Sequence, residues 1–67
     1  MEKMHIRLKQ YREMKNLNQY EISQILGIKQ PTWHKYESGR SGMNVETLYH
    51  ICKTLNISAD WLLGLKE

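Results

Sequence analysis

The sequence predicts an all-α fold of five short helices, and three observations carry that prediction. Apolar residues recur three and four positions apart along most of the chain. Asn18, Asn44 and Ser58 stand at the starts of such stretches, where a side-chain oxygen can accept an orphan backbone amide. Gly27 and Gly39 stand where two of the stretches stop, and glycine turns the chain there without steric penalty.

In the first helix, about Lys3 to Lys15, Met4, Leu8 and Tyr11 form the inward stripe while Lys9, Gln10 and Glu13 face away. Ile6 lies off that stripe. Arg12 shares its inner edge with Tyr11, and such an arginine either snorkels to solvent or reaches a buried carboxylate. Leu17 precedes the Asn18 cap as a hydrophobic staple would, and Glu21 three residues on completes a capping-box spacing.

The second helix, about Gln19 to Leu26, turns Ile22, Ser23 and Leu26 inward and leaves Tyr20, Gln24 and Ile25 towards solvent. After Gly27 comes a third helix, about Gln30 to Ser38, with Pro31 in its first turn, where amides have no intrahelical partner. Its inward set is Trp33, Tyr36 and Glu37, and Gly39 ends it.

A polar loop from Arg40 to Met43 leads to Asn44. Val45, Leu48, Ile51, Cys52 and Leu55 then form the largest apolar stripe of the chain, with Cys52 as a small core residue. Ser58 caps a last helix, Ala59 to Leu63, whose Asp60 suits the first-turn dipole. Trp61, Leu62 and Leu63 exceed what one core needs, which makes them the candidate dimer surface. Residues 64–67 are expected to fray.

Sixty-seven residues make a single domain, 1–67, and a chain this short buries only roughly 60% of its unfolded surface. Marginal stability follows, and dimerisation is one remedy. With 25% charged and 40% apolar residues the composition is globular, and the net charge of +3 fits a polyanionic partner without requiring one. Cys52 is the lone cysteine and no Cys/His spacing suits zinc, which points to a reducing cytoplasm. The N-terminus lacks the apolar region of a signal peptide, and no apolar run reaches a membrane span.

The stretch from Asn18 to Glu37 has the form of a helix-turn-helix, whose second helix enters a DNA major groove. Spacing alone suits an ordinary helical hairpin as well. The outer face of the third helix offers Gln30, Pro31, His34 and Lys35. Gln30 can bond an adenine edge, Lys35 can donate to guanine or phosphate, and Pro31 can meet a thymine methyl. A solvated helix face would carry the same polar set. Gln19 in the first turn of the second helix, Arg40, Ser41 and the amides around Asn44 supply anion-friendly groups on both sides.

On these residues the chain resembles the lambda-repressor-like helix-turn-helix family, which includes the repressor and Cro proteins of lambdoid phages and bacterial regulators of the xenobiotic-response-element type. LNQYEISQILGI looks like the family's L-[TN]-Q-x-x-L-A-x-x-L-G-[VI] run, PTWHKYESGR like its S-x-I-x-x-[YLW]-E-x-G-[KR] run, and ISADWLLG like its V-S-x-D-x-L-L ending. The resemblance implies a compact bundle of five helices that binds operator DNA as a symmetric dimer. By matched position it implies that Gln19 clamps phosphate, that Gln30, Pro31 and Lys35 face bases, and that Arg40 with the amides near Asn44 holds the second strand. It also implies an ion pair between Arg12 and Glu37.

Four positions depart from the family pattern. Ser23 replaces alanine and needs a hydroxyl partner, for which a backbone carbonyl one turn back is a candidate. Trp33 replaces a branched aliphatic, so either the core is rearranged around it or the indole lies partly at the surface. Lys29 stands where Ser or Thr caps the third helix, removing a cap worth about 1 kcal/mol. Pro31 makes the base preference of relatives non-transferable.

The expected function is a sequence-specific double-stranded-DNA-binding transcriptional regulator, a repressor acting as a homodimer on a pseudo-palindromic operator. The alternative is a protein-interaction module of the same fold, an antitoxin-like or anti-repressor subunit. No enzyme is expected, because His5, His34 and His50 fall on separate helices with no nucleophile or acidic partner arranged around them. No cofactor, metal or small-molecule ligand is implied. With no effector domain in the sequence, a signal is expected to arrive through dimerisation, proteolysis, a partner or cellular concentration.

Overall fold

The computed structural model describes residues 2–66. It contains α1 (Glu2–Met14), α2 (Gln19–Leu26), α3 (Gln30–Glu37), α4 (Val45–Leu55) and α5 (Ala59–Leu62), with no strand among the described residues. The all-α bundle expected from periodicity and caps is therefore the observed one. α3 packs on α1 and α2, α4 on α2 and α5, and α5 on α1.

Local chemistry sets the helix ends. Asn18 Oδ1 accepts the Glu21 amide at 2.7 Å while Glu21 Oε1 accepts the Asn18 amide at 2.8 Å, a closed capping box that satisfies two orphan donors. Asn44 caps α4 through the Thr47 amide, and Ser58 caps α5 through the Trp61 amide. Lys29 makes no side-chain cap at α3, where Pro31 already removes one of the orphan amides.

At the C-termini one closure recurs. Gly27 takes φ +70°, its amide donates to the Gln24 carbonyl, and the Ile28 amide reaches back to Ser23. Asn16 and Asn56 close α1 and α4 in the same left-handed conformation, a role asparagine tolerates better than most residues.

Met4, Leu8, Ile22, Leu26, Trp33, Ile51, Leu55 and Leu62 form one buried core, each side chain contributing about 1.5–3 kcal/mol on burial. Tyr36, Leu48 and Cys52 pack half-buried against it. Trp33 is fully buried, so the indole takes the rearranged-core alternative and not the surface one. The Ser23 hydroxyl donates to the Tyr20 carbonyl at 2.7 Å, a backbone partner within the preceding turn.

Three expectations are corrected. Val45 does not join the apolar stripe of α4: it is 80% exposed, because the first residue of the helix overhangs the bundle with no neighbour to cover it. Leu62 is wholly inside the protomer and cannot belong to a dimer surface, because one turn of α5 directs it onto the core while leaving Trp61 and Leu63 half-buried.

The third concerns the end of the chain. Residues 64–66 are held where fraying was expected, for the Leu65 and Lys66 amides donate to the Asp60 carbonyl and Arg7 Nη1 donates to the Lys66 carbonyl at 3.0 Å. Glu67, also expected to fray, lies outside the described residues.

Candidate nucleic-acid interface

α3 buries Trp33 and Glu37 on one side and presents Gln30, Pro31, His34 and Lys35 on the other, all exposed. The helix follows the tight turn at Gly27 and runs back along α2, so that Gln19 in the first turn of α2 meets Glu37 in the last turn of α3. Gly39 then takes φ +80° and returns the chain so that Arg40 lies against the same face. A shallow depression of about 390 Å³ results, lined by Gln19, Gln30, Pro31, His34, Lys35 and Arg40.

The structure thus assembles the four base-facing candidates with two of the phosphate candidates. Ser41 and Asn44 lie outside this depression. Ser41 lines a different recess beside Met4, His5, Tyr36, Gly39 and Gly42, with its hydroxyl donating to the Gly42 carbonyl at 2.8 Å. The Asn44 side-chain oxygen is committed to its cap, which leaves its side-chain Nδ2 and its main chain to meet an anion.

Behind the depression, Arg12 is paired with Glu37. Arg12 Nε donates to Glu37 Oε2 and Nη2 to Oε1, both at 2.8 Å, a fork-on-fork arrangement with side chains 15% and 5% exposed. Arg12 Nη1 also donates to the Leu17 carbonyl at 2.9 Å. Trp33 Nε1 donates to Oε2 at 2.6 Å and Gln19 Nε2 to Oε1 at 3.3 Å.

A carboxylate has about four lone-pair positions, and four donors fill them here. Burial pushes the Glu37 carboxyl up, but the hydrogen bonds from Arg12, Trp33 and Gln19, with the Arg12 charge, outweigh it and hold the group below the usual carboxylate range. The hydrogen bond to Glu37 raises Arg12 correspondingly, against the opposing effect of its own burial. Glu37 is therefore an ionised structural anion paired with Arg12.

Three sets of contacts escaped the sequence reading. Arg7 is buried on the inner face of α1, where its guanidinium donates to the Trp61 and Lys66 carbonyls and lies 5.1 Å from the Trp61 ring centroid. Its position between Met4, Leu8 and Tyr11 on the helical stripe was the available signal. His50 Nε2 lies 2.7 Å from the Leu26 carbonyl; a carbonyl only accepts, so the ring donates and closes the end of α2. The Trp33 indole bond to Glu37 was legible as an i, i+4 pair, although the tolerance of the core for the ring was not.

Burial raises the Cys52 thiol, which disfavours the reactive thiolate. Among the described residues no group of three or more His, Cys, Asp or Glu side chains is placed to hold a metal ion. None of the described helices is long and apolar enough to cross a membrane.

Two short helices meeting at a left-handed glycine, with the second laid out on the surface and anchored from behind, define the helix-turn-helix class. Comparison with known proteins agrees: residues 6–67 match the family described as "Helix-turn-helix domain". The chain belongs to this family, in its lambda-repressor-like, xenobiotic-response-element-type branch.

It is 38% identical over 56 residues to the uncharacterized HTH-type transcriptional regulator YqaE of Bacillus subtilis (strain 168), an overlap covering 84% of this chain and 48% of that protein. It is 35% identical over 57 residues to the SPbeta prophage-derived uncharacterized HTH-type transcriptional regulator YonR of the same organism, covering 85% and 53%. The chain thus spans about half the length of the curated relatives it matches.

Proposed function

We propose that this chain is a sequence-specific double-stranded-DNA-binding module of a transcriptional regulator, acting as a repressor through a homodimer on a pseudo-palindromic operator. The observation that carries the reading is the depression formed by the first turn of α2, the outer face of α3 and Arg40, which gathers amide and cationic side chains on an exposed helix of groove-entering class. The relatives' description as transcriptional regulators supports the regulatory part.

In this reading α3 enters the major groove. Gln30 meets an adenine edge, Lys35 a guanine or a phosphate, and Pro31 and His34 the neighbouring base edges. Gln19 and Arg40, with Ser41 and the amides near Asn44, hold phosphates on either side and fix the register. Symmetric half-sites lie about 34 Å apart on one face of the duplex. The Cα envelope of 28 × 22 × 20 Å lets two protomers stand side by side over that spacing.

Pairing is proposed through Trp61 and Leu63 at the end formed by α1 and α5. Tyr11, Met14, Lys15, Ile57, Ser58 and Trp61 line an apolar depression there, and Met14 is 71% exposed. A repressor of this design acts by occupying its operator.

The test is selection of bound duplexes from random DNA, followed by titration of the winner against a scrambled duplex at several salt concentrations. Preference for one half-site repeated symmetrically, with salt-dependent affinity, is the expected result. Equal binding to selected and scrambled DNA would remove the sequence-specific reading, and retention of a protein partner without DNA binding would favour the interaction module.

A further inference from the structure

The buried ion pair does not end at the core, because one of its four donors is the Gln19 side chain, and Gln19 is half-exposed on the face proposed to meet DNA. Gln19 and His34 stand on the divide between two depressions. One is shared with Gln30, Pro31, Lys35 and Arg40, and the other with Lys9, Glu37 and Ser38. The Gln19 amide can therefore turn either its nitrogen or its oxygen outward, and the two choices offer a nucleic acid different chemistry.

Glu37 removes the choice. Its carboxylate is ionised and accepts from Arg12 through both oxygens, so whatever faces Oε1 from the Gln19 side must be a donor. An amide oxygen there would place two acceptors against each other. Trp33 and the second branch of the guanidinium fix the carboxylate plane, so Oε1 cannot rotate away to relieve that contact.

We propose that Glu37 is a positioning residue for the DNA surface: it holds the Gln19 amide with nitrogen inward and carbonyl oxygen outward. The proposal rests on the DNA-binding reading above. It follows that Gln19 meets a phosphate through the single remaining Nε2 hydrogen or its main-chain amide at the start of α2. Its outward carbonyl is left for a donor, such as the exocyclic amine of a base or a neighbouring side chain. An arginine paired only for stability would be satisfied without Gln19; the fourth donor connects core and surface.

Two measurements test it. In the DNA-free protein, nitrogen relaxation and hydrogen exchange of side-chain amides compare Gln19 with the exposed Gln10 and Gln24. The Gln19 group is expected to be ordered and slow to exchange, and mobility equal to that of Gln10 and Gln24 overturns the proposal. In the second, a selected duplex is titrated with Gln19→Met, Glu37→Gln and the double variant, each at a temperature where circular dichroism shows it folded.

Each single change is expected to weaken binding about tenfold, the scale of one hydrogen bond to a charged group, and the double change no further. Independent losses that multiply, or full affinity in folded Glu37→Gln, overturn it. If Glu37→Gln does not fold, the amide measurement on the wild type decides. Absence of wild-type binding to any selected duplex would defeat the DNA reading and this proposal with it, whereas binding with a mobile Gln19 amide defeats the proposal alone.

Discussion

Replacing Arg12 by alanine removes three hydrogen bonds at once, two to Glu37 and one to the Leu17 carbonyl. The Glu37 carboxylate, 5% exposed, is left with only the uncharged donors of Trp33 and Gln19. Breaking a buried pair by deleting one partner costs about 3–5 kcal/mol. Because the Arg12 side chain is itself 15% exposed, water reaches part of the gap, and the low end, about 3 kcal/mol, is the expected loss. A domain of this length has about 3–10 kcal/mol of stability in total, so the variant surrenders a third of it or more. The thermal midpoint falls by roughly 12–24 °C.

Urea melts followed by circular dichroism measure this, and their pH dependence identifies the cause. In the wild type the folded Glu37 carboxyl lies below its unfolded value, so its stabilising contribution is complete above that unfolded value, about pH 4.3, and is lost as pH falls through the folded one. In Arg12→Ala, burial is no longer outweighed and the carboxyl protonates more readily. The gap between wild type and variant is therefore expected to be largest near neutrality and to narrow below about pH 4. A loss under about 1 kcal/mol, or a gap that does not change between pH 7 and 3, would refute the reasoning.

Other outcomes follow from the same geometry. Gln30→Ala is expected to relax base preference at one position of the selected site, read by repeating the selection with the variant. Lys35→Ala and Arg40→Ala should each weaken binding and, for a phosphate contact, lower the salt slope by about 0.9; an unchanged slope reassigns the residue. Gly39→Ala should cost more than Gly27→Ala in a urea melt. Both glycines have positive φ, worth about 1–2 kcal/mol of strain for alanine, but a Cβ on Gly39 would lie 3.3 Å from the His5 ring while one on Gly27 meets nothing within 4 Å. Equal costs would show that the His5 ring yields freely. Sedimentation should find a concentration-dependent dimer whose association is weakened by Met14→Glu or Trp61→Ala; a wild type that stays monomeric at high concentration would remove the dimer proposal.

The helix pattern was legible because its determinants are local. A cap such as Asn18 acts on an amide three residues away, and a left-handed glycine such as Gly27 acts on carbonyls in the preceding turn, so both can be read along the chain. The outer face of α3 was legible for the same reason: once Trp33 and Glu37 point inward, helical geometry places Gln30, His34 and Lys35 outward. The polar spacing could not show that Arg40 would complete the depression, since that depends on how the loop after Gly39 returns across the bundle.

By itself, then, the sequence determined five helices, their caps and turns, and the candidate groove-facing residues, because hydrogen bonds within a few residues and a period of 3.6 decide these. Only the tertiary structure decided burial at element ends and partnerships between distant residues. It exposed Val45, buried Leu62, tied Lys66 to Arg7, and gave Glu37 a fourth donor in Gln19. The physical reason is that burial and pairing belong to the space between elements. A residue at the start of α4 or in the single turn of α5 shares its sequence pattern with core positions, and only the placement of neighbouring helices determines whether anything covers it.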